Sequence, residues 1–170
     1  EDALNHIHTE ECYELRLICG REEHVHSTAC YADPEADLER ASDWESTLPQ
    51  NLTGDWSADL LAVAVSQLGY RESEKNYIVE LDPEGGEKLY GVTRYGQWYG
   101  VPYGDWCAMF VAFCLHYAGA TEEFPLDAGV NSWRSQLEAV DNYRQGIVPA
   151  PGDLVFQDWD GDGSLDHVGI

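Results

Sequence analysis

Basic side chains are the scarcest feature of this sequence. Lys and Arg number 9 against 32 Asp and Glu, a formal net charge of −23. Nucleic acids and anionic membranes are gripped by basic patches, so the balance argues against both as partners. It argues equally against attachment to an anionic cell wall by charge alone. The excess of carboxylates fits solubility and tolerance of calcium. No apolar run is long enough to span a bilayer. The five cysteines are an odd number, which excludes a complete disulfide framework. The chain opens Glu1-Asp2 with neither Met nor a signal-peptide pattern, and reads as a mature or excised piece.

What is present suits one domain of ordinary size with an appendage: 170 residues, 44% of them apolar. The appendage is residues 1–32. His6-Ile7-His8-Thr9-Glu10-Glu11-Cys12-Tyr13 is echoed by His24-Val25-His26-Ser27-Thr28-Ala29-Cys30-Tyr31, a repeat of the form H-x-H-x-x-x-C-Y. A segment this short cannot bury a core of its own. Cys and His are the ligands Zn²⁺ prefers, and a structural zinc supplies the missing folding energy. Cys12, Cys19, one of His24 or His26, and Cys30 make a four-ligand set; His6 and His8 remain for a second site or for a preceding repeat. The alternative is a Cys12–Cys30 disulfide with solvent-exposed histidines. Residues 33–54 are acidic and small, and read as a linker in which Leu38 and Trp44 hint at a short amphipathic helix.

The globular domain is expected over 55–170. Ser57 reads as the cap of a first helix whose apolar face is Leu60, Leu61, Ala64, Val65 and Leu68, ended by Gly69. Asn76 to Leu81 reads as extended and Pro83-Glu84-Gly85-Gly86 as a turn. Asn131 or Ser132 reads as the cap of a later helix carrying Trp133, Leu137 and Val140.

The run Trp106-Cys107-Ala108-Met109-Phe110-Val111-Ala112-Phe113-Cys114 is apolar on all sides and predicts a buried helix stopped by Gly119. Cys107 falls in its first turn. Unpaired backbone N–H groups and the helix dipole there favour a thiolate and can hold an oxyanion. Cys114 lies two turns on, about 10.5 Å away along the axis, too far for a disulfide within the helix, and reads as packing. The partner of a nucleophilic Cys is a His from elsewhere in the chain. His167, at the start of the strand Asp166-His167-Val168-Gly169-Ile170, is the candidate. His116, within the helix, reads as structural.

The aromatics Trp98, Tyr99, Tyr103 and Trp106 sit among glycines ahead of Cys107. They form either a groove wall that stacks on sugar or peptide, or a loop pinned to the core. Asp158-Trp159-Asp160-Gly161-Asp162-Gly163 has the D-x-D-x-D-G spacing of a calcium loop, with Asp166 as a further carboxylate. The Glu usual at its twelfth position is absent, since Gly169 stands there. The alternative is a solvated acidic turn.

WCAMFVAFC, preceded by RYGQWYG and followed by GDLVF and DHVGI, resembles the CHAP family. That family comprises cysteine, histidine-dependent amidohydrolases and peptidases of the NlpC-type papain-like group. The run DLLAVAVSQLGYRES is similar to the opening helix of such domains, and residues 1–32 resemble a His/Cys repeat of bacterial surface proteins. The resemblance implies an α+β, papain-like fold with N-terminal helices packed on an antiparallel sheet. It implies Cys107 as nucleophile and His167 as base. It implies a peptidoglycan hydrolase, either an N-acetylmuramoyl-L-alanine amidase or a cross-bridge endopeptidase, secreted or on the surface of a Gram-positive bacterium, with no organic cofactor. Family members orient the histidine with a third residue on a later strand, so the domain is expected to be incomplete after Ile170 and the chain poorly active as it stands. The competing reading is a metal-stabilised surface module that binds cell wall without catalysis.

Overall fold

The computed structural model describes residues 24–83, 85–122 and 124–170. After a single 3-10 turn at Thr28–Tyr31 come α1 (Ala41–Glu45), α2 (Trp56–Ser66), β1 (Tyr77–Leu81), β2 (Glu87–Gly91), α3 (Arg94–Tyr99), α4 (Cys107–Tyr117), α5 (Val130–Ala139), β3 (Val155–Gln157) and β4 (His167–Gly169). The class is α+β. Each pair β1–β2 and β3–β4 is a separate antiparallel ladder, with Tyr77 opposite Gly91 and Gln157 opposite His167. Among the described residues no ladder joins the two hairpins. The antiparallel strands form two short hairpins, and the buried helix α4 lies at the centre of the core.

From Ala108 to Leu115 every side chain of α4 is apolar, and all but Phe110 are buried. Such a helix needs cover on every side. α2, α3 and β4 pack against it, contributing Leu60, Val63, Tyr95 and Val168. α5 adds Trp133 and Leu137 to the same core. Gly96 in α3 lets the chain fold back closely. A Cβ there would meet the carbonyl oxygens of Val101 and Pro102, the latter at 2.8 Å. Beyond α4, Gly119 turns the chain at φ +77°, as expected of a helix stop.

Several local expectations are corrected. The cap of α2 is Asp55, whose carboxylate accepts from the Ser57 and Ala58 amides. Ser57 instead donates its hydroxyl to the Pro151 carbonyl at 2.9 Å. The buried face of α2 is Asp59, Leu60 and Val63, continued by Gln67, while Val65 is 61% and Leu68 80% exposed. Two polar groups set this face. Asp59 accepts from the Thr53 amide and hydroxyl and the Gly54 amide, and the first of these is the main reason its carboxyl lies below its usual range. Gln67 is held by Arg94 and Thr47. Likewise α5 is capped at Gly129, because Asn131 is used across the chain on residues 164 and 165, and Val140 is exposed. His116 is exposed near the end of α4, its ring against Trp98 and Tyr117.

The stretch 33–54, expected as a linker, is strapped onto the domain. Asn76 is buried and donates both amide hydrogens to the Pro34 and Ala36 carbonyls. Glu39 pairs with Arg94 at 2.9 Å, mostly out of solvent. α1 turns Trp44, 7% exposed, into the core, and its indole N–H donates to the Tyr117 hydroxyl at 2.9 Å. Leu38 is exposed. Trp44→Ala should therefore lower unfolding free energy by about 3 kcal/mol or more, as removal of a buried Trp does. Leu38→Ala should stay within about 0.5 kcal/mol. Urea titration of the two variants distinguishes a strap from a free tether, for which both changes would be small.

Candidate active site

Cys107 is the first residue of α4, half-buried, with Trp106 at the cap position. The amides of a first helical turn have no acceptor within the helix. Trp106 is fixed on two sides. Its ring stacks on Tyr95 at 5.3 Å between centroids, and its indole N–H donates to Glu72 at 3.0 Å.

His167 opens β4. Strand alternation sends Val168 into the core, where it is 1% exposed, and leaves His167 and Gly169 on the other face. The imidazole lies close over Gly169, where an added Cβ would stand 3.9 Å from Nε2. Trp159, from the loop between β3 and β4, stacks on the imidazole at 5.3 Å and 18°. That loop is ordered by its own carboxylates. Asp158 accepts from the Gly161 and Gly163 amides, and Asp166 from the Trp159 amide. Across the chain, Asn131 pins the loop at Leu165 and Arg134 donates to the Gly163 carbonyl.

Cys107 and His167 line one cavity of about 730 Å³. Its walls are the end of α2 with Leu68 and Tyr70, the β2 residues Lys88, Leu89 and Tyr90, the turn Gly104-Asp105-Trp106, and Trp159 with β4. Lys88 at the rim pairs with Asp105 at 3.1 Å and lies over the Tyr90 ring. Tyr90 first, then Asp105, raises the Lys88 pKa. A second cavity, about 620 Å³ and lined by Trp56, Tyr143 and Phe156 among others, contains neither Cys107 nor His167.

Of the four aromatics expected in a groove, the structure places Trp106 in the cavity wall. Trp98 packs on Phe113 and Tyr117 of α4, Tyr99 sits beside Trp98, and the Tyr103 hydroxyl donates to Asn76. Sequence reasoning did not single out Trp159 or Leu68 for the cavity. Leu68, just beyond the end of α2, was read instead as part of that helix's buried face. Asp158, Asp160 and Asp166 bring one carboxylate oxygen each within 4.8 Å of one another. Asp162 accepts from the Ser164 amide and is outside that group. Among the metal candidates of the N-terminal repeat, His24, His26 and Cys30 come together. Cys12, Cys19, His6 and His8 lie outside the described residues.

Residues 96–170 match the family model described as CHAP domain. CHAP domains are typically cysteine- and histidine-dependent amidohydrolases or peptidases. No curated protein and no solved structure gives a significant match. Among the described residues no helix is long and apolar enough to cross a membrane.

The two cysteines of α4 are sharply different. Cys114 is fully buried, and burial pushes its thiol up to about 12. Near neutral pH it is all thiol and out of reach of solvent, whereas Cys107 borders the cavity. Iodoacetamide should mark Cys107 in the folded protein and Cys114 only after denaturation. Peptide mapping that finds Cys114 labelled first in the folded state contradicts this assignment.

Proposed function

We propose that this domain cleaves amide bonds of cell-wall peptidoglycan with Cys107 as nucleophile and His167 as general base. The observation that carries the reading is their meeting at one cavity, Cys107 on a helix N-terminus and His167 on a strand fixed by the burial of Val168. The family match over 96–170 supports the same chemistry and the substrate class.

In this reading His167 takes the proton of the Cys107 thiol, and the thiolate attacks the amide carbonyl. The C–S bond forms as the carbonyl oxygen gains charge. The first-turn amides of α4, including that of Cys107, are the available oxyanion donors. The imidazolium protonates the leaving amine as the C–N bond breaks. Water, deprotonated by His167, then hydrolyses the thioester and frees the thiol. Trp159 holds one face of the imidazole and limits its rotation. The apolar residues Leu68, Leu89 and Tyr90 suit peptide side chains or the face of a sugar ring, and the Lys88–Asp105 pair at the rim suits the charged groups of a stem peptide. Either an N-acetylmuramoyl-L-alanine amidase or a cross-bridge endopeptidase fits these walls. The product separates them: the first frees the amino group of L-Ala, the second that of a bridge residue. The substrate implies action outside the cytoplasm, at the wall of a Gram-positive cell.

Cys107→Ala and His167→Ala should each lower the rate of turbidity loss of a peptidoglycan suspension by about 10³-fold or more. Clearing that survives Cys107→Ala overturns the reading. Calcium at Asp158, Asp160 and Asp166 belongs to it as well, supported by the D-x-D-x-D-G spacing and the gathered oxygens. Millimolar calcium should raise the melting temperature, and Asp160→Ala should remove the increment. An unchanged melting temperature in the wild type counts against the ion.

A further inference from the structure

We propose that His24, His26 and Cys30 form a zinc site that fastens the N-terminal segment to the β1–β2 hairpin. Their ligand atoms all lie within 4.8 Å of one another, and His24 Nε2 is 3.2 Å from Cys30 Sγ. Two ligands on one tetrahedral zinc, with Zn–N near 2.0 Å and Zn–S near 2.3 Å, stand roughly 3.5 Å apart. The spacing is that of a site needing little movement to close on an ion. The two imidazole rings meet edge to face, 4.7 Å between centroids. Two imidazoles and a thiolate are a donor set that favours Zn²⁺ over hard, oxygen-seeking cations.

The site is mounted, not free. Cys30 is buried within the turn Thr28–Tyr31, closed by its own amide on the Ser27 carbonyl at 2.9 Å. Tyr77 of β1 donates its hydroxyl to the Thr28 carbonyl at 3.0 Å, and the Thr28 hydroxyl donates to Glu87 of β2. The next residues continue the attachment, Asp33 donating its amide to the Lys75 carbonyl. Both strands of one hairpin therefore hold the ligand turn, and the second of those strands carries Lys88, Leu89 and Tyr90 of the cavity wall. An ion that locks His24 and His26 onto Cys30 ties residues 24–26, which precede the turn, to that hairpin. The remaining coordination position is open to water.

The test is zinc content of the full chain by native mass spectrometry, with hydrogen exchange read on the same samples. Cys30→Ser and His26→Ala should each carry one zinc fewer per chain than the wild type. Zinc should slow exchange at Tyr77–Leu81 and Glu87–Gly91 in the wild type and not in Cys30→Ser. His26→Cys, which replaces nitrogen by sulfur, should restore both the ion and the protection. That rescue separates loss of a ligand from loss of folding. Neither readout depends on hydrolysis, so its outcome is independent of the role of Cys107. Wild-type zinc content in Cys30→Ser, no zinc on the wild type, hairpin exchange indifferent to zinc, or a disulfide at Cys30 that persists in mild reductant would each overturn the proposal.

Discussion

The constraint on which the structure depends is that α4 is apolar on every side. Each large side chain on it gains about 1.5–3 kcal/mol by leaving water, and no single neighbour can cover a cylinder. The chain supplies cover with Leu60 and Val63 from α2, Tyr95 from α3 and Val168 from β4, and Trp133 of α5 joins the same core. Trp44 comes from a stretch that composition alone marks as solvent-loving, and it brings a hydrogen bond to Tyr117 with it. Polar contact is confined to the ends of the helix. At one end are exposed His116 and the turn at Gly119; at the other is Cys107.

That uncovered end explains where the cavity lies. The segment leading into α4 contains Gly100 and Gly104, both at positive φ, and its residues 104–106 line the cavity beside Cys107. Trp106 fills part of the space but is drawn aside by Tyr95 and Glu72. Leu68, Leu89 and Tyr90 line the opening together with the charged side chains of Glu72, Lys88, Asp105 and Asp166. Leu68 would be an unexplained exposed leucine in the turn after α2. As part of a cavity wall it has a use.

The elements legible in the sequence were those with an unbroken signal. α4 was fixed by its apolar run and Gly119, and an extended stretch at 76–81 was marked off by the turn signal Pro-Glu-Gly-Gly after it. The class, and Cys107 and His167 as candidates for one site, were read from the resemblance, and the structure places both on one cavity. Where hydrophobicity was asked to choose a face, it failed at α2, because the buried side is decided by Asp59 and Gln67. These are polar residues whose partners, Thr53, Gly54 and Arg94, no periodicity shows. Caps failed for the same reason. Ser57 and Asn131 both have hydroxyl or amide groups suited to capping, and both are engaged more than thirty residues away. The aromatic cluster was legible as a cluster only. Nothing in its order separates Trp106, at the cavity, from Trp98, which covers α4.

The position of His167 shows how core packing governs a candidate catalytic group. β4 is three residues long, and its register is set opposite Val155–Gln157. A slip of one residue would turn Val168 out of the core and His167 into it, reversing the whole strand. Burying Val168 is favourable by about 1.5–3 kcal/mol, while sealing an imidazole without a hydrogen-bond partner costs a comparable amount. The slipped register is disfavoured by both terms together. Asn131 and Arg134 add a second restraint by gripping Leu165 and Gly163, so the loop cannot feed a residue into the strand without breaking contacts to α5. The direction of the imidazole is thus determined by a valine it does not touch with its reacting atoms and by a helix on the far side of the hairpin. Substitutions at Val168 or Asn131 would displace His167 without altering any residue of the proposed chemistry.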